Sequence, residues 1–174
     1  ERLFCAGNQL GKTLAGAAEM AMHLTGRYPD DWQGRRFTRA IAAWASGLTG
    51  ESVRDTTQRL LVGRPGEYGT GMIPAACIAS EPKRAMGVAD LLDSVTVKHV
   101  SGGNSRLYFK RYEQGREKWQ GETLDVVWFD EEPAPEIYTE GLTRTNATGG
   151  MSYMTFTPLQ GMSKVVMRFL HEQS

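Results

Sequence analysis

The sequence predicts an α/β fold in which a mainly parallel sheet is flanked by helices. Three observations predict it. Short apolar runs alternate along the chain with segments whose apolar residues recur at three- and four-residue steps. One such run, residues 124–129, is apolar throughout except for Asp125, as a parallel strand buried on both faces must be. A third sign stands at the start, where the apolar residues 2–6 pass through a glycine-bearing loop straight into a helical pattern.

The elements follow in order. Residues 2–6 read as a strand. Leu14, Ala17, Ala18, Ala21 and Leu24 then mark one face of a helix that Gly26 can end. Residues 38–46 form a buried strand around their central apolar stretch. Residues 50–61 form a helix that Thr49 can cap. Pro65 and four glycines make 63–71 a loop, and 82–92 read as helix again. The period then changes. Val95, Val97 and His99, and later Leu107, Tyr108 and Phe109, predict two strands joined by a turn at 101–104. Residues 114–119 are a short polar helix or loop, 124–129 and 151–156 are strands, and 163–170 are the last helix.

Composition narrows the class. The chain has 174 residues, 20 Lys+Arg against 20 Asp+Glu, and 40% hydrophobic residues. That is one domain with a full core, and it excludes wholesale disorder. Zero formal charge argues against a free-standing nucleic-acid coating protein, though not against a local basic patch. Cys5 and Cys77 lie in apolar runs without metal or redox spacing, which points to buried thiols in a reducing compartment. No apolar stretch reaches the ~18 residues of a membrane helix, and no secretory segment is visible. Without an initiator Met, and opening inside a strand, the chain is expected to be part of a longer one.

Three segments carry chemistry. The first is AGNQLGKT, residues 6–13. A strand, a glycine-bearing loop and a helix start together aim successive backbone N–H groups, and the positive end of the helix, at a phosphate. Gly7, Asn8, Gln9, Leu10, Gly11, Lys12 and Thr13 would cradle the nucleotide. Lys12 would reach the β- and γ-phosphates, and Thr13 would offer its hydroxyl to Mg²⁺. Ala6 stands where the general G-x-x-x-x-G-K-[ST] pattern has its first glycine. The second segment is VVWFDEE, residues 126–132, a buried strand ending in carboxylates. Asp130 would hold Mg²⁺ through water, and Glu131 would polarise the attacking water as general base. A phosphate-loop fold whose catalytic Glu adjoins the metal-site Asp, with an additional strand in the sheet, is the fold this pairing implies. The third is TFTP, residues 155–158, where the Thr155 and Thr157 hydroxyls could sense the γ-phosphate. Basic and aromatic residues also interleave from Arg106 to Trp119 (Arg106, Tyr108, Phe109, Lys110, Arg111, Tyr112, Arg116, Lys118, Trp119), a mixture that could touch a phosphate backbone or simply face solvent. His23, His99 and His171 have no metal partner at useful spacing.

Together AGNQLGKT, VVWFDEE and TFTP resemble the ATPase motor of the large terminase subunit of tailed bacteriophages, over essentially the whole chain. The resemblance implies a single ATPase domain over 1–174, without the family's adenine-contacting N-terminal segment and C-terminal nuclease domain. It implies ATP and Mg²⁺ as cofactors and hydrolysis that drives double-stranded DNA into a capsid. Lys12, Thr13, Asp130 and Glu131 map onto the family's loop lysine, loop hydroxyl, metal-site Asp and catalytic Glu, and Thr155 and Thr157 onto its coupling motif. The expected partners are DNA, other copies of the chain in a ring, the capsid portal and the small terminase subunit. No membrane is expected, and the location is the host cytoplasm. Many relatives carry an Arg-Gly pair before the catalytic Glu, whose Arg enters a neighbour's site. Here the pair is Gln120-Gly121, so Arg116 is the nearest candidate for that arginine. Weak activity is expected of the isolated chain. Two other readings share these residues: a helicase-like ATPase, and an inactive prophage fragment that serves as an assembly module.

Overall fold

The computed structural model describes residues 1–5, 11–157 and 163–171. Among them, seven strands form one sheet in the order β1-β7-β6-β2-β5-β4-β3. These are β1 (Arg2–Cys5), β2 (Ala42–Gly47), β3 (Lys83–Arg84), β4 (Leu92–Lys98), β5 (Asn104–Arg111), β6 (Val126–Asp130) and β7 (Met151–Phe156). From β1 through β5 the neighbours in that order run parallel, while β4 and β3 add an antiparallel margin. The expected α/β fold is therefore present, and β7 is the additional strand, inserted between β1 and β6.

Both faces are covered. Along β6 the side chains alternate: Val126 and Trp128 enter one core, and Val127 and Phe129 enter the other. The first core lies under α1 (Lys12–Thr25) and under a rod made of α2 (Gly50–Val53), a π turn (Arg54–Gln58) and α3 (Arg59–Val62). Ala17, Met20 and Leu24 are its contribution from α1, and Gly26 ends that helix at φ +70°, a conformation glycine adopts without strain. Thr49 and Ser52 close a reciprocal capping box on α2. The second core lies under α4 (Pro135–Asn146) and α5 (Lys164–His171). Its centre is aromatic: Trp119 stacks on Phe129 at 5.8 Å and meets Trp44 edge-on at 5.3 Å. Burying each such ring contributes about 1.5–3 kcal/mol.

Asp125, the one charge in the apolar run, is 4% exposed and has its partners. The Arg39 guanidinium grips it with two bonds, of 2.6 and 3.1 Å, and the Ala42 amide donates a third of 3.0 Å. It thus locks the starts of β2 and β6 together.

Two expectations are corrected. Residues 82–92 are not a helix. They hold the two-residue β3, an exposed turn with Gly87 at φ +86° and Asp90 at φ +59°, and the start of β4. Their apolar residues do recur at helical spacing, but the buried Gln58 takes over the end of the segment. It accepts from the Leu92 amide at 2.8 Å and donates to the Asp90 carbonyl at 2.9 Å. Conversely α4 was not anticipated. Pro135 opens it, but its apolar face is sparse, with Ile137, Tyr138 and Leu142 spread among polar residues.

Candidate functional site

Parallel strands present their carboxyl ends on one edge of the sheet, and that edge is where α/β proteins bind ligands. The residues that end β6 and β7 meet there with the start of α1. Asp130 pairs in register with Thr155, and the chain following β1 re-enters the described structure at Gly11, φ +76°, immediately before α1. Gly7, Asn8, Gln9 and Leu10 lie outside the described residues.

The contacts are specific. The Thr13 hydroxyl donates to Asp130 Oδ1 at 3.0 Å, and the Thr155 hydroxyl donates to the same oxygen at 2.7 Å. Asp130 is only 7% exposed. Burial pushes its carboxyl up to about 6. The two hydroxyl bonds oppose that shift, the neighbouring Glu131 charge adds to it, and the Lys12 ammonium pulls against it. Lys12, next to Thr13 at the start of α1, is thus within electrostatic reach of Asp130. The structure brings Lys12, Thr13, Asp130, Glu131 and Thr155 together. Thr157 lies just past β7, half-buried.

Glu131 occupies the left-handed region, φ +64°, which a non-glycine residue adopts at a cost. The turn is held from both sides: its amide donates to the Thr155 carbonyl at 2.8 Å, and its own carbonyl accepts from the Tyr112 hydroxyl at 2.8 Å. Strain over-determined in this way is characteristic of residues that must aim a side chain. Glu132, next in the acid run, accepts a hydrogen bond from the Ser163 hydroxyl, which also receives the Val166 amide and so tethers the start of α5 to the site.

Arg116 sits on a 3-10 turn (Arg116–Trp119) and donates from Nε to Glu140 Oε2 at 3.0 Å, while Arg144 holds the other oxygen of that carboxylate at 2.9 Å. The interleaved basic and aromatic set divides. Phe109, Tyr112 and Trp119 are core residues, 7%, 8% and 0% exposed, so they cannot belong to a surface patch. Lys110, Arg111 and Lys118 line a cleft of about 460 Å³ together with Arg84 and Asp93. Tyr112 belongs to the site instead, through its bond to the Glu131 carbonyl, a role that sequence reasoning, which left this set open between a phosphate contact and a solvent face, did not find. Trp128 is another that was missed. The available signal was a Trp inside a buried strand, whose N–H must find a partner.

Nothing among the described residues groups three or more His, Cys, Asp or Glu into a metal site. One buried carboxylate and one hydroxyl form a partial set of hard oxygen donors. That suits a Mg²⁺ ion that arrives with phosphates and keeps some of its water, not a cation caged by protein alone. An α/β domain of the phosphate-loop fold class is what this sheet order and this edge define.

The comparisons with known proteins agree. The sequence profile of the family described as "Terminase large subunit, T4likevirus-type, N-terminal" matches residues 3–174, and the chain belongs to that family. It is 50% identical over 194 aligned residues to the terminase large subunit of Salmonella phage P22, covering 100% of this chain and 39% of that protein. It is 34% identical over 138 residues to the terminase large subunit of Enterobacteria phage LP7, covering 77% of this chain and 29% of that one. The chain therefore spans well under half the length of these relatives. Among solved structures it resembles the large terminase of a thermophilic bacteriophage in complex with ADP, with a TM-score of 0.53 at 17% identity over 90% of this chain and 33% of that one. It also resembles a mutant ATPase domain of the Thermus phage P74-26 large terminase, with a TM-score of 0.50 at 14% identity over 97% of this chain and 64% of that one. At such identities the likeness is one of fold. No helix among the described residues is long and apolar enough to cross a membrane.

Proposed function

We propose that this domain binds and hydrolyses ATP with Mg²⁺ and, within a longer chain assembled as a ring, drives double-stranded DNA into a capsid. The observation that carries the reading is the Thr13–Asp130 hydrogen bond, which closes the start of the phosphate-loop helix onto the acid end of β6. Lys12 binds the β- and γ-phosphates as a point charge. Thr13 and Asp130 are the oxygen donors that would hold Mg²⁺, which when bound neutralises charge developing on the phosphates. Glu131, carried on its strained turn, takes the proton of the attacking water. Thr155 and Thr157 end the strand that would couple this event to movement. Arg116, exposed on its turn, is the arginine offered to a neighbouring copy's site. The capsid portal and the small terminase subunit follow as partners from the family, and the host cytoplasm as location.

For DNA, the cleft beside β5 is the best-fitting surface. Arg84, Lys110, Arg111 and Lys118 line it with Asp93, and although Arg84 and Arg111 also face Asp90 at 3.9 Å and Glu113 at 3.6 Å, cations outnumber carboxylates there, as contact with a phosphate backbone requires. The Lys110 ammonium lies over the Trp44 ring at 4.6 Å and donates to the Lys118 carbonyl at 3.1 Å, which fixes its position.

The deciding experiment is a titration of the chain with a fluorescent ATP analogue and Mg²⁺. Saturable binding lost in Lys12→Ala is expected. Glu131→Gln should keep that binding and, in an assembled motor, lower turnover by about 10²–10⁴-fold. Absence of saturable binding in the parent would favour the assembly-module reading instead.

A further inference from the structure

We infer that Trp128 is a positioning residue for the carboxylate of Asp130, acting through the hydroxyl of Thr155. This rests on the reading of Asp130 as a Mg²⁺-holding group.

The geometry is a relay of buried groups. Trp128 Nε1 donates to Thr155 Oγ1 at 2.8 Å, and Thr155 Oγ1 donates to Asp130 Oδ1 at 2.7 Å. Trp128 is fully buried and Thr155 is 1% exposed. A hydroxyl has one proton to give and lone pairs to receive with. With the indole N–H occupying a lone pair, the remaining proton is steered to the carboxylate. Without that N–H the hydroxyl is free to rotate toward another acceptor, and Asp130 loses one of the two hydroxyl bonds that offset its burial. Both bonds end on Oδ1, so the other carboxylate oxygen is the one left for a cation. Groups standing behind a metal ligand in this way set its orientation and the affinity of the site.

The indole is also prevented from moving. Tyr153 stacks against it at 6.0 Å between centroids and 16° between planes, and the Tyr153 hydroxyl donates to the Gly16 carbonyl at 2.7 Å. Gly16 faces the ring so closely that a Cβ there would stand 2.7 Å from the indole carbons. The helix that carries Lys12 and Thr13 and the strand that carries Asp130 are thus referenced to the same side chain. A Phe at position 128 would keep an aromatic ring in the core but would supply no N–H to Thr155.

The test is equilibrium binding of a fluorescent ADP analogue to this chain, with Mg²⁺ titrated from zero. In Trp128→Phe the Mg²⁺ concentration for half-maximal tightening should rise about tenfold or more, while binding in excess chelator stays at the parent value. Thr155→Val, nearly the same shape without the hydroxyl, should do the same, and Thr155→Ser should behave as the parent. The double variant Trp128→Phe/Thr155→Val should be no worse than Thr155→Val alone, because the indole acts only through the hydroxyl. Additive losses, or a parental Mg²⁺ dependence in Trp128→Phe, would overturn the inference. Should Trp128→Phe fail to fold, the contrast of Thr155→Val with Thr155→Ser still tests the hydroxyl, and Trp128→His, a smaller ring with a donor, tests the N–H by restoring Mg²⁺ dependence. A parent without any Mg²⁺ dependence would instead sink the metal reading beneath it.

Discussion

Tyr112 reaches from the end of β5 to donate its hydroxyl to the Glu131 carbonyl at 2.8 Å, with the Asp130 carbonyl 3.1 Å away. The phenol is buried, which holds its ionisation well above the ordinary tyrosine range, so it acts as a neutral donor at every relevant pH. Its position is two strands from Asp130, across β2 in the sheet. The acid turn is therefore braced from the direction of the Lys110–Lys118 cleft as well as from β7.

Tyr112→Phe keeps the ring in its aromatic cluster and removes only this brace. The expected loss of stability is about 1–2 kcal/mol, one buried hydrogen bond with its acceptors left unpaired, measured by urea denaturation. If the brace aims Glu131, turnover of an assembled motor falls while nucleotide binding by the chain is unchanged. An unchanged turnover would confine Tyr112 to a structural role.

Arg116 offers a sharper separation of fold from function. Its side chain is 60% exposed, and its partner Glu140 keeps Arg144 when Arg116 is removed. Arg116→Ala should thus leave the denaturation midpoint of the chain close to that of the parent, because exposed ion pairs contribute little. In an assembled ring the same variant should lose about 10³–10⁵ in turnover if Arg116 enters a neighbour's site. Parental turnover there would assign the arginine elsewhere.

These two residues also mark how far the sequence could be read. The strands β1, β6 and β7, helix α1 and the β4–β5 hairpin were legible because apolar period and glycine punctuation are local signals. Lys12, Thr13, Asp130 and Glu131 were legible because their spacing from a strand end or a helix start is fixed by the chain itself. The role of Tyr112 was not, since it depends on β5 arriving beside β2 and on the hydroxyl crossing to another strand's carbonyl. Trp119 was left open between a phosphate contact and a solvent face for the same reason. Flanked by Lys118 and Gln120 it resembles a surface residue, and only the packing of Trp44 and Phe129 makes it core. The false helix at 82–92 has its cause in Gln58, more than twenty residues earlier, whose side chain satisfies the backbone that a helix would have satisfied.

Gly16 sets two known effects against each other. In a helix interior, Ala in place of Gly is favoured by about 1 kcal/mol. At this position the new Cβ would fall 2.7 Å from Trp128, an indole already fixed by Tyr153 and Thr155. Overpacking of a closed core costs about 1–3 kcal/mol. The steric term should win, so Gly16→Ala is expected to lower the urea midpoint and to weaken nucleotide binding by displacing the start of α1. A raised midpoint would mean that the helix–indole contact yields easily.

His23 makes the domain acid-sensitive in a defined window. It is fully buried in α1, with Nε2 3.2 Å from Glu19 and Nδ1 2.9 Å from the Tyr28 hydroxyl. Glu19 is itself ion-paired with Arg2 of β1, so its charge is already shared. Burial dominates, and the Arg2 and Arg35 charges act in the same direction, taking the imidazole from 6.5 down to about 4. The sign follows. Below 6.5 the unfolded chain binds a proton that the folded one refuses. Stability is therefore fully present above 6.5 and is lost as pH falls from there toward 4. The shift corresponds to about 3 kcal/mol, a large share of a marginal folding free energy. His23→Gln retains a polar group beside Glu19 and Tyr28 but cannot take up the proton. Urea midpoints measured from pH 7.5 to 4 should fall more steeply for the parent than for His23→Gln, and the two curves should diverge below about 6.5. Parallel curves would mean that His23 is protonated as readily in the folded chain as in the unfolded one, and that its pairing with Glu19, not its burial, governs the site.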